Sequence, residues 1–175
     1  MQKLNMKIVF TLLVAFLLTN CSGSNMKPID FKDQKPRLII EDYLSGNVKA
    51  WGLLQDRSGK VTRQFSANLN GKWDGKQLIL DEKFNWTDGE IQTRQWQITK
   101  IDEHNYEGTA GDVVGKARGY SYGPAFKFEY VLLVPVKGRE IKITFDDWIF
   151  KQDERVAINS CLLYTSDAAD EGLGV

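Results

Sequence analysis

Between Val48 and Asn159 the chain repeats one pattern. Roughly ten residues carry apolar side chains at every second place, and a short run of Gly, Asp or Asn then interrupts them. Leu78, Leu80, Phe84 and Trp86 share one parity. So do Phe126, Phe128, Tyr130, Leu132, Val134 and Val136, and so do Ile141, Ile143 and Phe145. Side chains on a strand point alternately to its two faces, so each set lies on one face. No segment keeps helical apolar spacing long enough for a crossover between parallel strands. The turn residues tolerate the positive φ of tight hairpins. The pattern predicts an all-β, antiparallel, up-and-down meander.

The predicted strands run from Val48 to Arg57, Lys60 to Leu69, Lys76 to Trp86, Glu90 to Ile101 and Tyr106 to Ala110. They continue from Asp112 to Tyr120, Ala125 to Val136, Glu140 to Phe150 and Arg155 to Asn159. Asn70-Gly71 and Asp74-Gly75 mark the second reversal. Leu38 to Leu44 reads as a short helical turn ahead of the first strand. Strands of this number and length close into a small barrel, and a barrel of about eight strands either fills with side chains or holds one small ligand. Gly108, Gly111, Gly115, Gly119 and Gly123 recur through the two weaker strands, the fifth and sixth, and suggest bulges and bends or a mobile mouth.

The first 20 residues read as a signal. Lys3 and Lys7 precede an apolar run from Ile8 to Leu18, which leads into Leu18-Thr19-Asn20-Cys21. That run is too short to span a bilayer, which takes about 20 apolar residues. The layout resembles a bacterial lipoprotein signal, in which the cysteine becomes a lipid-bearing N-terminus. Lipidation is therefore expected at Cys21, with anchoring by acyl chains worth about 0.8 kcal/mol per buried CH₂. Ser22 stands where such proteins carry Asp for inner-membrane retention, so the resemblance implies the periplasmic face of a Gram-negative outer membrane. Residues 21–36, polar and holding Pro28 and Pro36, read as a flexible tether.

Residues 161–175 read differently. Cys161-Leu162-Leu163-Tyr164-Thr165-Ser166-Asp167-Ala168-Ala169-Asp170-Glu171 resembles a translated sequencing adapter. That implies an artefactual tail after a domain of residues 37–160, with the last native strand missing and an open sheet edge left behind. With Cys21 acylated and Cys161 in the tail, no native disulfide is expected. The chain carries 23 Lys+Arg and 23 Asp+Glu; the signal accounts for Lys3 and Lys7, and the tail for Asp167, Asp170 and Glu171. A balance near zero gives no electrostatic reason to expect a nucleic-acid partner.

Two stretches of the chain resemble known families. Leu44-Ser45-Gly46-Asn47-Val48-Lys49-Ala50-Trp51-Gly52 is similar to the entrance strand of lipocalin-like (calycin) barrels. The run from Ala50 through Trp51-Gly52-Leu53-Leu54-Gln55-Asp56 to Val61 resembles the uncharacterised bacterial lipoprotein family known as domain-of-unknown-function family 3833. Leu80-Asp81-Glu82-Lys83-Phe84, Tyr106-Glu107-Gly108-Thr109-Ala110 and Phe145-Asp146-Asp147-Trp148 resemble it too. This second resemblance implies an envelope lipoprotein on a lipocalin-like barrel, and no catalytic residue.

Chemistry-bearing residues are few. His104 is the sole histidine and sits in an Asp-Glu-His-Asn turn; no serine stands in a nucleophile-elbow context, and zinc-ligand clusters are missing. Neither cofactor, metal nor catalytic residue is expected. Asp81-Glu82, Asp146-Asp147 and Asp153-Glu154 are adjacent pairs, and neighbours on a strand face opposite ways. Glu82 and Arg94 are different. Pairing around Thr87-Asp88-Gly89, with residue numbers summing to 176, sets them side by side facing inward. They read either as a structural ion pair or as a polar handle that orients a ligand headgroup. The expected pocket comprises Trp51, Glu82, Trp86, Arg94, Trp96, Phe128 and Tyr130, with the tryptophans as core packing or as its lining.

The sequence thus predicts a lipid-anchored, non-catalytic barrel that binds or carries a lipid or small apolar ligand. The alternative is an accessory lipoprotein with a filled barrel, docked on an envelope protein complex. A hydrolase of lipid or glycan ranks third.

Overall fold

The computed structural model describes residues 26–136 and 138–165. Cys21, the signal and residues 166–175 lie outside the described residues. Nine strands form one sheet in chain order, each antiparallel to the next. They are β1 (Gly46–Gln55), β2 (Val61–Trp73), β3 (Gln77–Trp86), β4 (Ile91–Lys100), β5 (Asn105–Thr109), β6 (Ala117–Tyr122), β7 (Ala125–Val136), β8 (Arg139–Lys151) and β9 (Ala157–Thr165). The meander is as the alternation predicts. The sheet curls into a half-barrel in which β1 and β9 stay as edges, with no ladder between them among the described residues.

One end of the curl is closed by the N-terminal segment instead of a β1–β9 ladder. Leu38, Ile40 and Leu44, in and beside the helical turn α1 (Ile40–Tyr43), bury themselves against Leu78, Ile98, Tyr106 and Phe126. Gly71 makes room for this plug, because a Cβ there would run into the Leu44 carbonyl. Asn70-Gly71 is therefore not the turn expected of it. Strand β2 continues to Trp73, and the reversal falls at Asp74, whose Oδ1 accepts from the Lys76 and Gln77 amides at 2.8 and 2.7 Å.

Two further expectations change. The stretch read as a tether is fixed from Pro28 on. A 3-10 turn over Pro28–Phe31 lays Phe31 edge-on against Trp148 and Phe150, at 6.1 and 5.4 Å between ring centres, on the outer wall. Burying an aromatic ring outweighs the freedom of a few polar residues. Residues 112–116, read as the start of the sixth strand, form a connection that reaches β7 through a bridge between Val113 and Leu132. Strand β9 runs through Cys161 to Thr165, paired with β8 from Lys151 to Ile143.

Glycines on the short strands serve packing. A Cβ on Gly108 would lie 2.5 Å from the Phe128 ring, and one on Gly119 would lie 2.9 Å from the Phe126 ring. Trp96 meets Phe128 and Tyr130 at 5.1 Å each between ring centres, so β4 and β7 touch across the concave side.

Candidate functional site

Reading β3 inward from the closed end, the concave series is Leu78, Leu80, Glu82, Phe84 and Trp86. On β4 it is Ile98, Trp96 and Arg94, and the ladder sets Glu82 opposite Arg94 in the register the sequence predicts. A polar layer therefore lies directly on the aromatic core.

Arg94 is the hub of that layer. Its Nε donates to both carboxylate oxygens of Asp112 at 3.1 Å, and Nη2 donates to Oδ2 at 2.8 Å. Its Nη1 stands 3.7 Å from Glu82 Oε2, outside hydrogen-bond distance, and the guanidinium lies 5.8 Å from the Trp96 ring centre. On the far wall, the inward positions of β7 and β8 bring in Tyr130 and Asp147. Tyr130 Oη is 3.4 Å from Asp147 Oδ2, and Asn159 Nδ2 donates to Oδ1 at 2.6 Å. Two carboxylates thus share one guanidinium, and Asp147 has only neutral partners.

The electrostatics follow from that shortage. The Glu82 side chain is 12% exposed. Burial pushes its carboxyl up to about 7 against the pull of Arg94 and a hydrogen bond from the Trp96 indole, and the neighbouring Asp147 and Asp112 charges add to the rise. Burial likewise pushes Asp147 up to about 6, although Asn159 and Tyr130 hydrogen-bond to it. The Tyr130 phenol is raised well above its usual range, first by burial and then by the Asp147 charge. Perturbed acids facing each other inside a concavity mark a candidate site.

Of the expected pocket residues, Glu82, Arg94, Trp96, Phe128 and Tyr130 come together. Trp86 lies two inward positions further along β3, beneath the Arg63 guanidinium at 4.0 Å and against Phe65 at 5.1 Å between ring centres. Trp51 does not belong to the pocket. The inward places of β1 fall to Val48, Ala50, Gly52 and Leu54, so Trp51 points outward and is 75% exposed. Sequence reasoning missed Asp112 and Asn159 and left Asp147 in an adjacent pair. Asp147 was findable, because it shares the parity of Ile143 and Phe145. Asp112 sits in an irregular connection and carries no periodic signal. Asp146 points to the outer face of the sheet, 3.4 Å from Lys127 Nζ on β7.

His104 serves its own turn, with Nδ1 2.8 Å from the Ser121 carbonyl oxygen and the ring stacked on Tyr122 at 4.1 Å. Among the described residues no group of three His, Cys, Asp or Glu is arranged to hold a metal ion.

Fold and site together define an antiparallel half-barrel, plugged at one end, with a polar layer buried in its concave face. The chain belongs to a family described as "Protein of unknown function (DUF3833)", whose model matches residues 15–165. No curated protein matches the chain, and no solved structure does.

Proposed function

We propose that this protein is an envelope lipoprotein, anchored through Cys21 on the periplasmic face of an outer membrane, whose half-barrel binds a lipid or other small apolar ligand without catalysis. The observation that carries the reading is the polar layer set on an aromatic floor. Trp96, Phe128 and Tyr130 form a buried aromatic floor, and beyond the layer Phe65, Phe84 and Trp86 offer apolar surface that stays partly exposed. Apolar lining with a few convergent polar groups is the usual make-up of a small-molecule site. The layer is rich in acceptors, since Glu82 and Asp112 share a single cation and Asp147 has only Tyr130 and Asn159. A head that donates hydrogen bonds fits it better than an anionic one.

Native mass spectrometry of the mature protein, made without its acyl anchor and exposed to envelope lipid extract, tests this. A one-to-one adduct that disappears in Phe84→Ala or Trp86→Ala supports the reading. An apo mass unchanged by the extract overturns it.

A second reading has its own support. Trp51 and Leu53 are 75% and 52% exposed on the outer face of the edge strand β1. Exposed large apolar side chains at a free edge suit an accessory lipoprotein docked on an envelope protein complex. Co-purification that is lost in Trp51→Ala, together with a clean apo mass, would favour it.

A further inference from the structure

The wall has a gap one strand wide. Two strands, β5 and β6, separate β4 from β7, and both are short. Strand β3 follows β4 as far as Ile91, whereas β5 leaves it after the pair Gln97 and Thr109. Past that point the line of β6 is filled by the 110–116 connection. Val113 bridges to Leu132 of β7, Val114 N donates to Val131 O at 2.8 Å, and Leu133 N donates to Asp112 O at 3.0 Å. Among the described residues no strand continues the line of β5. A hollow of about 560 Å³ stands in its place, lined by Thr93, Gln95, Gln97, Thr109, Ala110 and Asp112 among others.

The pairing fixes which backbone groups face this slot. Trp86 N donates to Glu90 O and Lys100 N donates to Lys76 O, so the even-numbered residues of β4 bond to β3. Ile101 N donates to Asn105 O on the other side. Alternate residues of an antiparallel strand bond to alternate neighbours. Ile91, Thr93 and Gln95 therefore turn their N–H and C=O groups into the slot, and those of Thr93 and Gln95 meet no backbone partner among the described residues. Unpaired groups in this order are a template for another strand.

The surroundings select what enters. The lining is mostly hydroxyl and amide, so an apolar tail gains little there. The far side is the 110–116 connection, tied to β7. The edge of a folded sheet brings its own next strand and would collide with that connection, whereas a lone extended segment fits. The inner side is crossed by the fork from Arg94 to Asp112, which leaves room for only a small side chain opposite Arg94. We propose that the slot takes an extended peptide segment of a partner polypeptide as an added strand, antiparallel to β4 in the line of β5. The N–H and C=O groups of Thr93 and Gln95 hold its backbone, and a small residue lies opposite Arg94.

Residue-resolved hydrogen exchange of the intact free chain is the first test. The Thr93 and Gln95 amides should exchange at least about tenfold faster than those of Arg94 and Trp96, which bond to β3. Equal protection overturns the proposal, because the chain would then fill the slot itself. Peptides selected on the intact chain from a displayed random-peptide library are then titrated. A peptide in the slot should slow exchange at Thr93 and Gln95. Its affinity should fall roughly tenfold in Gln95→Pro, which removes one slot-facing donor, and less than about twofold in Gln95→Ala, which keeps it. N-methylating the peptide amide that meets Gln95 O should weaken binding to the wild type as much, a check that needs no folded variant. A library that yields no binder overturns the proposal. So do binders indifferent to both Gln95→Pro and N-methylation, or lost in Trp51→Ala instead.

Discussion

Two buried glutamates, at opposite parts of the half-barrel, behave in opposite ways. Glu41, in the plug at the closed end, has a side chain 5% exposed, yet it is satisfied. The Lys100 ammonium pairs with one of its oxygens, and Tyr106 Oη donates to the other at 2.9 Å. Burial pushes the Glu41 carboxyl up, but the hydrogen bonds from Lys100 and Tyr106 more than offset it, and the group sits below its ordinary range. Glu82, almost as buried, shares one arginine with a better-placed rival and rises to about 7. Burial alone therefore says little about an acid; the number of donors within reach decides whether it binds the fold together or stays poised. The closed end is finished structure. The layer at Glu82 has one cation for two carboxylates, which is what a site for something else looks like.

The largest test of this contrast is Glu41→Ala. It leaves the Tyr106 hydroxyl and the Lys100 ammonium without their acceptor, and should cost about 3 kcal/mol in urea unfolding at pH 7. A loss near zero would mean that the plug does not need its ion pair. Next comes Glu82→Gln, with the opposite sign. Glu82 moves from 4.5 to about 7 on folding, so between those values the folded chain holds a proton that the unfolded chain has lost. Stability then falls as pH climbs through that window, by an amount on the order of 3 kcal/mol. The variant should be about 2 to 3 kcal/mol more stable than wild type at pH 8 and within about 0.5 kcal/mol of it at pH 4. Asp147→Asn should show the same sign over the window from 3.8 to about 6. Glu41, held low, loses its contribution as pH falls, so the two regions respond to acid in opposite senses. Asp112→Asn removes a partly exposed fork and should cost about 1 kcal/mol. Smallest of all, Trp51→Ala should change stability by no more than about 0.5 kcal/mol, because its ring is already in water.

Much of this was legible from alternation. The inward faces of β3, β7 and β8, and the opposition of Glu82 to Arg94, follow from a period of two and one short turn. What escaped depended on distant partners. Asn70-Gly71 has the composition of a turn, but Gly71 answers to the Leu44 carbonyl, and nothing local announces that. Glu41 looks like an exposed acid in a helical turn, and its cation lies 59 residues on. Phe31 in a polar stretch looks incidental until Trp148 and Phe150 form its seat. Trp51 misled through its size, since the parity of Val48, Ala50, Gly52 and Leu54 already turned it outward.

The seat of Phe31 has a mechanical consequence. A pull on the chain at Met26 does not load β1 first. It meets the Phe31 clamp on β8, then the bond from Leu38 N to Gly123 O at 2.8 Å, and then the buried plug. Force enters the sheet at β6 to β8, in its middle and far wall, and must extract a wedge before it can unzip an edge. Tension on the leading end in this way does not peel the domain apart strand by strand.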